Sequence, residues 1–127
     1  MANKIKIGDV EEAARLILLD TYEDAYRFEP KEIYAAIASA VERLRVEQPV
    51  SRYVNGLGPE PVEFDHSIPP SPAVAEWRTK TINMERKWQE AIVYYVVHKM
   101  YLKDDPDTTN ANLAARYLEL YTAARGG

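Results

Sequence analysis

The first part of the chain carries apolar residues at helical spacing. They lie three or four positions apart, which places them on one face of a helix. Asp9 stands just before this run and Glu12 follows three residues later, in the manner of a capping box. The pattern predicts a helix that Asp9 caps and that continues to about Leu19. Its inner face consists of Val10, Ala13, Ala14, Ile17 and Leu18.

A second helix is predicted from Pro30. Proline is well tolerated in the first turn of a helix, where its missing N–H would have no partner in any case. Apolar residues then recur at helical spacing until Pro49, which stops the helix because it cannot continue the hydrogen-bond ladder. The predicted inner face consists of Ile33, Ile37, Ala40, Val41 and Leu44.

The middle of the chain, about residues 50–82, has no such periodicity. Six of the eight prolines lie between Pro49 and Pro72, a density that excludes a long helix and favours turns. Within this segment, Val62–Phe64 and Arg78–Ile82 are predicted to pair as a short β-hairpin. Long irregular segments inside small domains are commonly functional, so we expect this one to contact partner proteins.

The most apolar helix is predicted over Met84–Lys103. Its sequence leaves little polar surface, which is typical of a helix covered on several sides. The segment from Asp104 to Asp107 ends this helix and caps a last one, and residues 125–127 form a short tail that we expect to fray. The apolar positions of these two helices are Trp88, Ala91, Ile92, Val93, Tyr95, Val96 and Met100, then Leu113, Ala114, Tyr117, Leu118, Tyr121 and Ala124.

Length and composition agree with one small soluble domain. The chain has 127 residues, of which 46% are hydrophobic and 28% charged, as is ordinary for a globular fold. The elements predict a mainly α fold, a four-helix domain over residues 1–127 with an irregular proline-rich insertion. Nothing resembles a signal peptide, and no run approaches the roughly 20 apolar residues of a membrane span. We expect synthesis in the cytoplasm.

Charge and side-chain chemistry exclude several function classes. The net charge is −4 and cysteine is absent, which disfavours attraction of the whole chain to nucleic acid and excludes thiolate chemistry. His66 and His98 lack a second metal ligand at helical spacing, and we expect His98 on a helix surface or interface. The sequence predicts no enzyme, no cofactor and no metal site. Solvated carboxylates are expected at Glu11, Glu12, Glu23, Asp24, Glu60, Glu63 and Asp65.

The aromatic content is high for so small a chain. Nine tyrosines and two tryptophans are present, and several fall outside the predicted inner faces. Tyrosine, tryptophan and arginine are enriched at protein–protein interfaces. The alternative is that these aromatic residues cover the edges of a small core. The interface candidates are Tyr22, Tyr26, Tyr53, Trp77, Arg78, Tyr94, Tyr101 and Arg125.

Two stretches of the chain resemble a known family. The first is an A-R-x-x-L-x-D run formed by Ala14-Arg15, Leu18 and Asp20, followed by Arg27-Phe28 and Glu32-Ile33. The second comprises Ala91 to Tyr95, Tyr101, Lys103-Asp104, Asn110, Ala114-Ala115 and Tyr117. These two stretches, in this order and with a proline-rich segment between them, resemble the corresponding parts of the small head–tail connector (adaptor) proteins of tailed bacteriophages. Phe28 stands where that family more often has tryptophan.

The resemblance implies a structural protein of the virion neck. Such a subunit forms a homo-oligomeric ring, a dodecamer, that joins the portal protein to tail or nozzle proteins. The genome passes through the lumen without specific binding, so we expect a neutral or acidic lining, because a basic one would hold DNA. The alternative is a small helical regulatory or nucleic-acid-binding protein. Candidates for the lining are Glu11, Glu12, Glu23 and Asp24, or Asp104, Asp105 and Asp107; the alternative is that these acids keep the free subunit soluble and cap helices.

Overall fold

A computed structural model of the chain describes residues 4–22, 25–54, 57–59, 74–103 and 108–126. The mainly α class predicted from the sequence is confirmed: these described residues contain four long helices and one short one. The helices are α1 (Ile7–Leu18), α2 (Pro30–Glu47), α3 (Val74–Thr79), α4 (Gln89–Lys103) and α5 (Thr108–Ala124). The strands are β1 (Lys4–Lys6), β2 (Tyr53–Val54), β3 (Leu57–Pro59) and β4 (Thr81–Glu85), and short 3-10 helices span Pro49–Arg52 and Arg86–Trp88.

Helix α1 begins earlier than its sequence pattern predicts. Its first residue is Ile7, and the prediction that Asp9 caps the helix is wrong, because Asp9 lies inside the first turn. The preceding strand β1 sets the start: the Ile7 N–H donates to the Lys80 carbonyl over 3.0 Å, and the Ile7 side chain is buried. The helix ends at Leu18, after which Leu19 takes the left-handed conformation with a φ of 56°.

Helix α2 agrees with its prediction at both ends. Pro30 is its first residue, and the helix stops at Glu47, just before Pro49. Glu29 is the N-cap and forms a capping box with Glu32, whose carboxylate accepts the Glu29 N–H over 2.9 Å. All five residues of the predicted inner face are buried, which confirms Ile33, Ile37, Ala40, Val41 and Leu44 as core.

Strand β1 pairs antiparallel with β4, far along the chain. Ile5 lies opposite Ile82, with an irregularity in register between Lys4 and Ile5. Ile82 and Met84 are both buried, and this spacing of two residues is that of a strand with one face on the core. The prediction of helix from Met84 is therefore wrong in its first turn, since α4 begins only at Gln89.

The predicted insertion contains a different hairpin from the expected one. Strands β2 and β3 pair antiparallel, whereas Arg78 belongs to the short helix α3 and β4 takes β1 as its partner. The predicted pairing of Arg78–Ile82 with Val62–Phe64 is therefore wrong for its second strand. Val62–Phe64 itself lies outside the described residues.

Helix α4 lies at the centre of the core, as its sequence predicts. It packs against α5, α2 and α1, which cover it on several sides. Its uninterrupted apolar run thereby finds apolar neighbours on several sides, as a helix with little polar surface requires. The buried residues of α4 are Ala91, Ile92, Val93, Tyr95, Val96, Val97, His98 and Met100.

The C-terminal residues are held by the end of α2. The Gln48 side chain donates to the Arg125 carbonyl over 2.8 Å, and Tyr121 Oη donates to Glu47 Oε1 over 2.7 Å. Arg125 Nε also lies 3.3 Å from Glu47 Oε1. Arg125, the first residue of the tail that was expected to fray, thus has polar partners at the end of α2. Residues 104–107, the predicted helix stop, lie outside the described residues.

Candidate protein interface

A buried arginine links the end of α1 to the start of α2. The Arg15 side chain is 4% exposed. Its Nη1 donates to Asp20 Oδ2 over 2.8 Å and to the Phe28 carbonyl over 2.9 Å, while its Nε donates to Glu11 Oε2 over 2.9 Å. A buried cation requires such partners to offset its lost hydration. Arg15 therefore fixes the segment that connects the two helices.

Asp20 completes this connection from the opposite side. Its carboxylate accepts the backbone N–H groups of Arg27, over 2.7 Å, and Phe28, over 3.0 Å. The Arg27 guanidinium donates in turn to the Leu18 carbonyl over 3.2 Å, one of the carbonyls that a helix end leaves without an internal donor. Residues widely spaced in the sequence are thus joined in one hydrogen-bonded cluster.

Glu11 joins the same cluster to α3. Its carboxylate accepts from Arg78 Nε over 2.8 Å, from Arg78 Nη2 over 3.1 Å and from Tyr34 Oη over 2.9 Å, besides its bond with Arg15. Burial alone would raise the pKa of Glu11, but the hydrogen bonds from Arg78, Arg15 and Tyr34 outweigh it and lower that pKa. Burial, with the negative charge of Glu11, raises the pKa of Tyr34.

Two expectations for Glu11 are therefore wrong. It is buried rather than solvated, because α3 brings Arg78 to it, and a buried carboxylate cannot line a channel. Glu12 next to it is exposed, as predicted. The other candidates for the lining, Glu23, Asp24, Asp104, Asp105 and Asp107, lie outside the described residues.

A cleft of about 410 Å³ opens beside the cluster. The Tyr26 ring stacks on the Arg15 guanidinium, with 3.5 Å between the Arg15 Cζ and the ring centroid. Arg15 Nη2 is buried and has no hydrogen-bond partner within the described part of the chain. Because Arg15 and Tyr26 both line the cleft, it has a cation and an aromatic ring side by side. Its lining residues are Gly8, Glu11, Glu12, Arg15, Leu16, Thr21, Tyr26 and Arg78.

Three predicted interface residues come together at this end of the molecule. Tyr26 and Arg78 line the cleft, and Trp77 stacks on Tyr34 with 6.4 Å between ring centroids. Tyr22 is 69% exposed nearby in the sequence. The side chain of Tyr53 lies outside the described residues. Tyr26, Trp77 and Arg78 are half-buried and thus form an aromatic and charged surface around α1 and α3.

The remaining predicted residues lie elsewhere. Tyr94 and Tyr101 are half-buried on α4 and pack against Tyr117 of α5, with ring centroids 6.0 and 5.9 Å away. Arg125 is tied to Glu47 at the end of α2. These contacts within the subunit agree with the alternative expectation that the aromatic residues cover the edges of the core, at least for Tyr94 and Tyr101.

His98 is buried between α4 and α5, not on a surface. Its Nδ1 lies 2.8 Å from the Ala114 carbonyl, so a neutral ring donates there. Burial lowers the pKa of His98, the charges of Lys99 and Arg43 act in the same direction, and the bond to Ala114 opposes them. Among the described residues, no three His, Asp or Glu side chains are grouped to hold a metal ion. His66 lies outside those residues.

Two surfaces were not found from the sequence. The first, here called the α1 ridge, consists of Asp9, Glu12, Leu16 and Leu19, all exposed. The second, here called the α2 end patch, consists of Arg45, Val46, Val50 and Arg52. Their apolar members were expected neither in the core nor at an interface, although the outward positions of Leu16 and Val46 could have been read from the same helical periodicity that identifies the inner faces.

Comparison with protein-family models, with curated proteins and with solved structures finds no significant match for this chain. No helix in the described ranges is sufficiently long and apolar to cross a bilayer. The function is therefore inferred from the residues of the chain and from the geometry that they adopt.

Proposed function

We propose that this chain is a head–tail connector subunit of a tailed bacteriophage. It forms a ring between the portal and the tail, and the genome passes through that ring. One observation carries the proposal: the residues behind the resemblance at the start of the chain meet in one hydrogen-bonded cluster. Arg15 bonds to Asp20 and to the Phe28 carbonyl, and Asp20 accepts the N–H groups of Arg27 and Phe28.

This cluster supports the resemblance because residues that matched the family only by chance would have no reason to contact one another. Arg15 and Phe28 are 13 positions apart, yet they share one buried contact. Glu32, another matching position, closes the capping box at the start of α2. The matching residues thus share one task, which is to set the path of the chain from α1 into α2.

The exposed surface agrees with a subunit that works in an assembly. Leu19 is 89% exposed and Val46 is 71% exposed. Each has a second exposed apolar residue within four positions in the sequence, Leu16 in the α1 ridge and Val50 in the α2 end patch. Exposed apolar residues that cluster rather than scatter are typical of protein–protein contact sites.

The electrostatics favour passage of DNA over binding. Each subunit carries a net charge of −4, so a ring of copies repels the DNA backbone overall. A lumen that retained DNA would need a concentrated basic lining to release the condensed counterions of the duplex.

A second candidate function, nucleic-acid binding by a small helical regulator, rests on one specific feature. Arg45 and Arg52 lie together at the end of α2, where the Arg52 Nε donates to the Arg45 carbonyl over 3.0 Å. Adjacent arginines are a common phosphate-binding arrangement. The proposed connector uses this patch for protein contact instead.

The connector proposal is tested by deleting the gene for this chain in the phage that encodes it. The expected result is DNA-filled heads without tails, which a plasmid copy of the wild-type gene restores to infectious particles. Mass spectrometry of purified wild-type virions should then detect the chain. Normal tailed particles from the deletion, or virions that lack the chain, would contradict the proposal.

A further inference from the structure

The α1 ridge combines acidic and apolar side chains on one line. Asp9, Glu12, Leu16 and Leu19 follow each other at intervals of three, four and three residues, so they lie along one side of α1 and its C-cap. Leu16 is 60% exposed and Leu19 is 89% exposed. Asp9 and Glu12 form no ion pair with any described residue, so their charges are open to a partner.

The α2 end patch has the opposite charge beside similar apolar groups. Val46 and Val50 are exposed. Burial lowers the pKa of Arg45 and the positive charge of Arg52 lowers it further, with no carboxylate opposing them. Neither arginine forms an ion pair within the described ranges. An anionic partner would offset the repulsion between two like charges held together in this way.

We propose that the α1 ridge of one copy of this chain packs on the α2 end patch of the next copy. The complementarity is one of both charge and apolarity: two carboxylates face two guanidiniums, and two leucines face two valines. The inference rests on the proposed ring and specifies its subunit contact. The contact also buries the α2 end patch between subunits. This keeps its two arginines out of the lumen, where they would retain DNA.

The position of the two surfaces makes this contact head-to-tail. Helix α2 meets α1 at Tyr34, which donates to Glu11. Arg45 follows Tyr34 by 11 residues, which is about 16 Å further along the helix axis. The two surfaces therefore do not overlap, and a copy bound through one leaves its other surface open. Repeated contacts of this kind generate a ring when the rotation closes.

Cysteine cross-linking tests the contact, since the natural chain has no cysteine. Leu19→Cys and Val46→Cys are combined in one chain, and the purified protein is treated with a short bismaleimide. The expected result is a ladder of covalent multimers on a denaturing gel. Each single variant should give at most dimers. The matched control combines Leu19→Cys with Leu102→Cys, which is also exposed but lies outside both surfaces, and it should give no ladder.

Charge reversal provides the second arm. Glu12→Arg and Arg45→Glu should each shift the protein to smaller species in sedimentation velocity, whereas the double variant should recover the larger ones. Circular dichroism confirms that each variant is folded. A monomeric wild-type protein, or a ladder in the control pair equal to that in the test pair, would overturn the inference. If copies assemble without these contacts, the connector proposal survives; if the contacts form but virions lack the chain, the contact survives and the connector proposal fails.

Discussion

Arg78 donates to Glu11 over 2.8 Å although the two residues are 67 positions apart. This bond joins α3 to α1 and places the cleft between them. Both ends are charged, and Glu11 is 3% exposed whereas the Arg78 side chain keeps 30% of its exposure. The pair is therefore a structural contact at the border of the candidate interface, where loss of one partner would leave the other charge poorly compensated.

Replacing Glu11 with Gln should lower the free energy of unfolding by about 3 kcal/mol, at the low end for breaking a buried ion pair because Arg78 remains partly hydrated. The measurement is urea denaturation at neutral pH. The matched control is Glu12→Gln on the same helix, which is exposed and should change stability by less than about 0.5 kcal/mol. Equal effects of the two variants would contradict the buried network.

The same pair predicts acid sensitivity. The pKa of Glu11 is lower in the folded protein than in the unfolded chain. The stability that Glu11 contributes is therefore complete above its unfolded pKa of about 4.5, and it is lost as the pH falls through its folded pKa. Stability of the wild type should therefore fall more steeply than that of Glu11→Gln below about pH 4.5. Parallel curves would show that Glu11 does not contribute through its charge.

Gly8 tests the close approach of α1 and α3. A Cβ at this position would lie 2.7 Å from the Arg78 carbonyl oxygen and 3.3 Å from the Arg78 Cβ. Alanine normally stabilises a helix relative to glycine, but here backbone must move, so Gly8→Ala should destabilise by about 1–3 kcal/mol. Thermal denaturation measures the change, with Glu12→Ala as the exposed control. A higher melting temperature for Gly8→Ala would mean that α3 does not pack here.

Ile92 tests the central position of α4. Its side chain is fully buried, so Ile92→Asp would place an unpaired carboxylate in the core and should cost at least about 4 kcal/mol, a large part of the stability of a small domain. Leu102→Asp on the same helix is the control, and because Leu102 is exposed we expect a change within about 1 kcal/mol. Circular dichroism melting curves give the comparison; an unchanged Ile92→Asp curve contradicts the fold.

His98 predicts a second, milder pH dependence. Its pKa is lowered in the folded protein, so the unfolded chain takes up a proton first and stability falls as the pH drops below about 6.5. The slope cannot exceed about 1.4 kcal/mol per pH unit. His98→Asn keeps a donor near Ala114 and should flatten this slope. Denaturant titrations at about pH 7.5 and about pH 5.5 measure it; identical slopes would exclude a role for the imidazole.

DNA binding distinguishes the connector from the regulator. We expect the isolated protein to bind duplex DNA weakly even at low salt. Its net charge is −4, and few of its basic side chains are clustered. Fluorescence anisotropy with a labelled duplex measures the affinity, and Arg45→Ala with Arg52→Ala is the informative variant. Tight, salt-sensitive binding that this variant abolishes would favour the regulator.

Local signals predicted the fold well where the element depends on its own sequence. Helix α2 is fixed by Pro30, by its capping box and by Pro49, all of which lie at its ends. The start of α1 and the start of α4 were misplaced because both depend on the pairing of β1 with β4, which joins distant parts of the chain. Such pairing leaves only a weak period-two pattern in three to five residues.

The candidate interface was predictable only in part. Tyr26 and Arg78 were identified by residue type and do line the cleft. Glu11 was not identified, because no signal near it in the sequence indicates that α3 brings Arg78 into contact with it. The α1 ridge was visible as the outer positions of a predicted helix, but its complement at the end of α2 gains meaning only when Arg45 and Arg52 are seen side by side.

The most direct test of the connector proposal is a cryo-EM reconstruction of the virion neck with side chains resolved. The proposal predicts copies of this chain in a ring between portal and tail, each placing Leu16 and Leu19 against Val46 and Val50 of its neighbour, around a lumen that is not lined by arginine and lysine. A neck whose ring is built from another protein, with this chain absent, would contradict it.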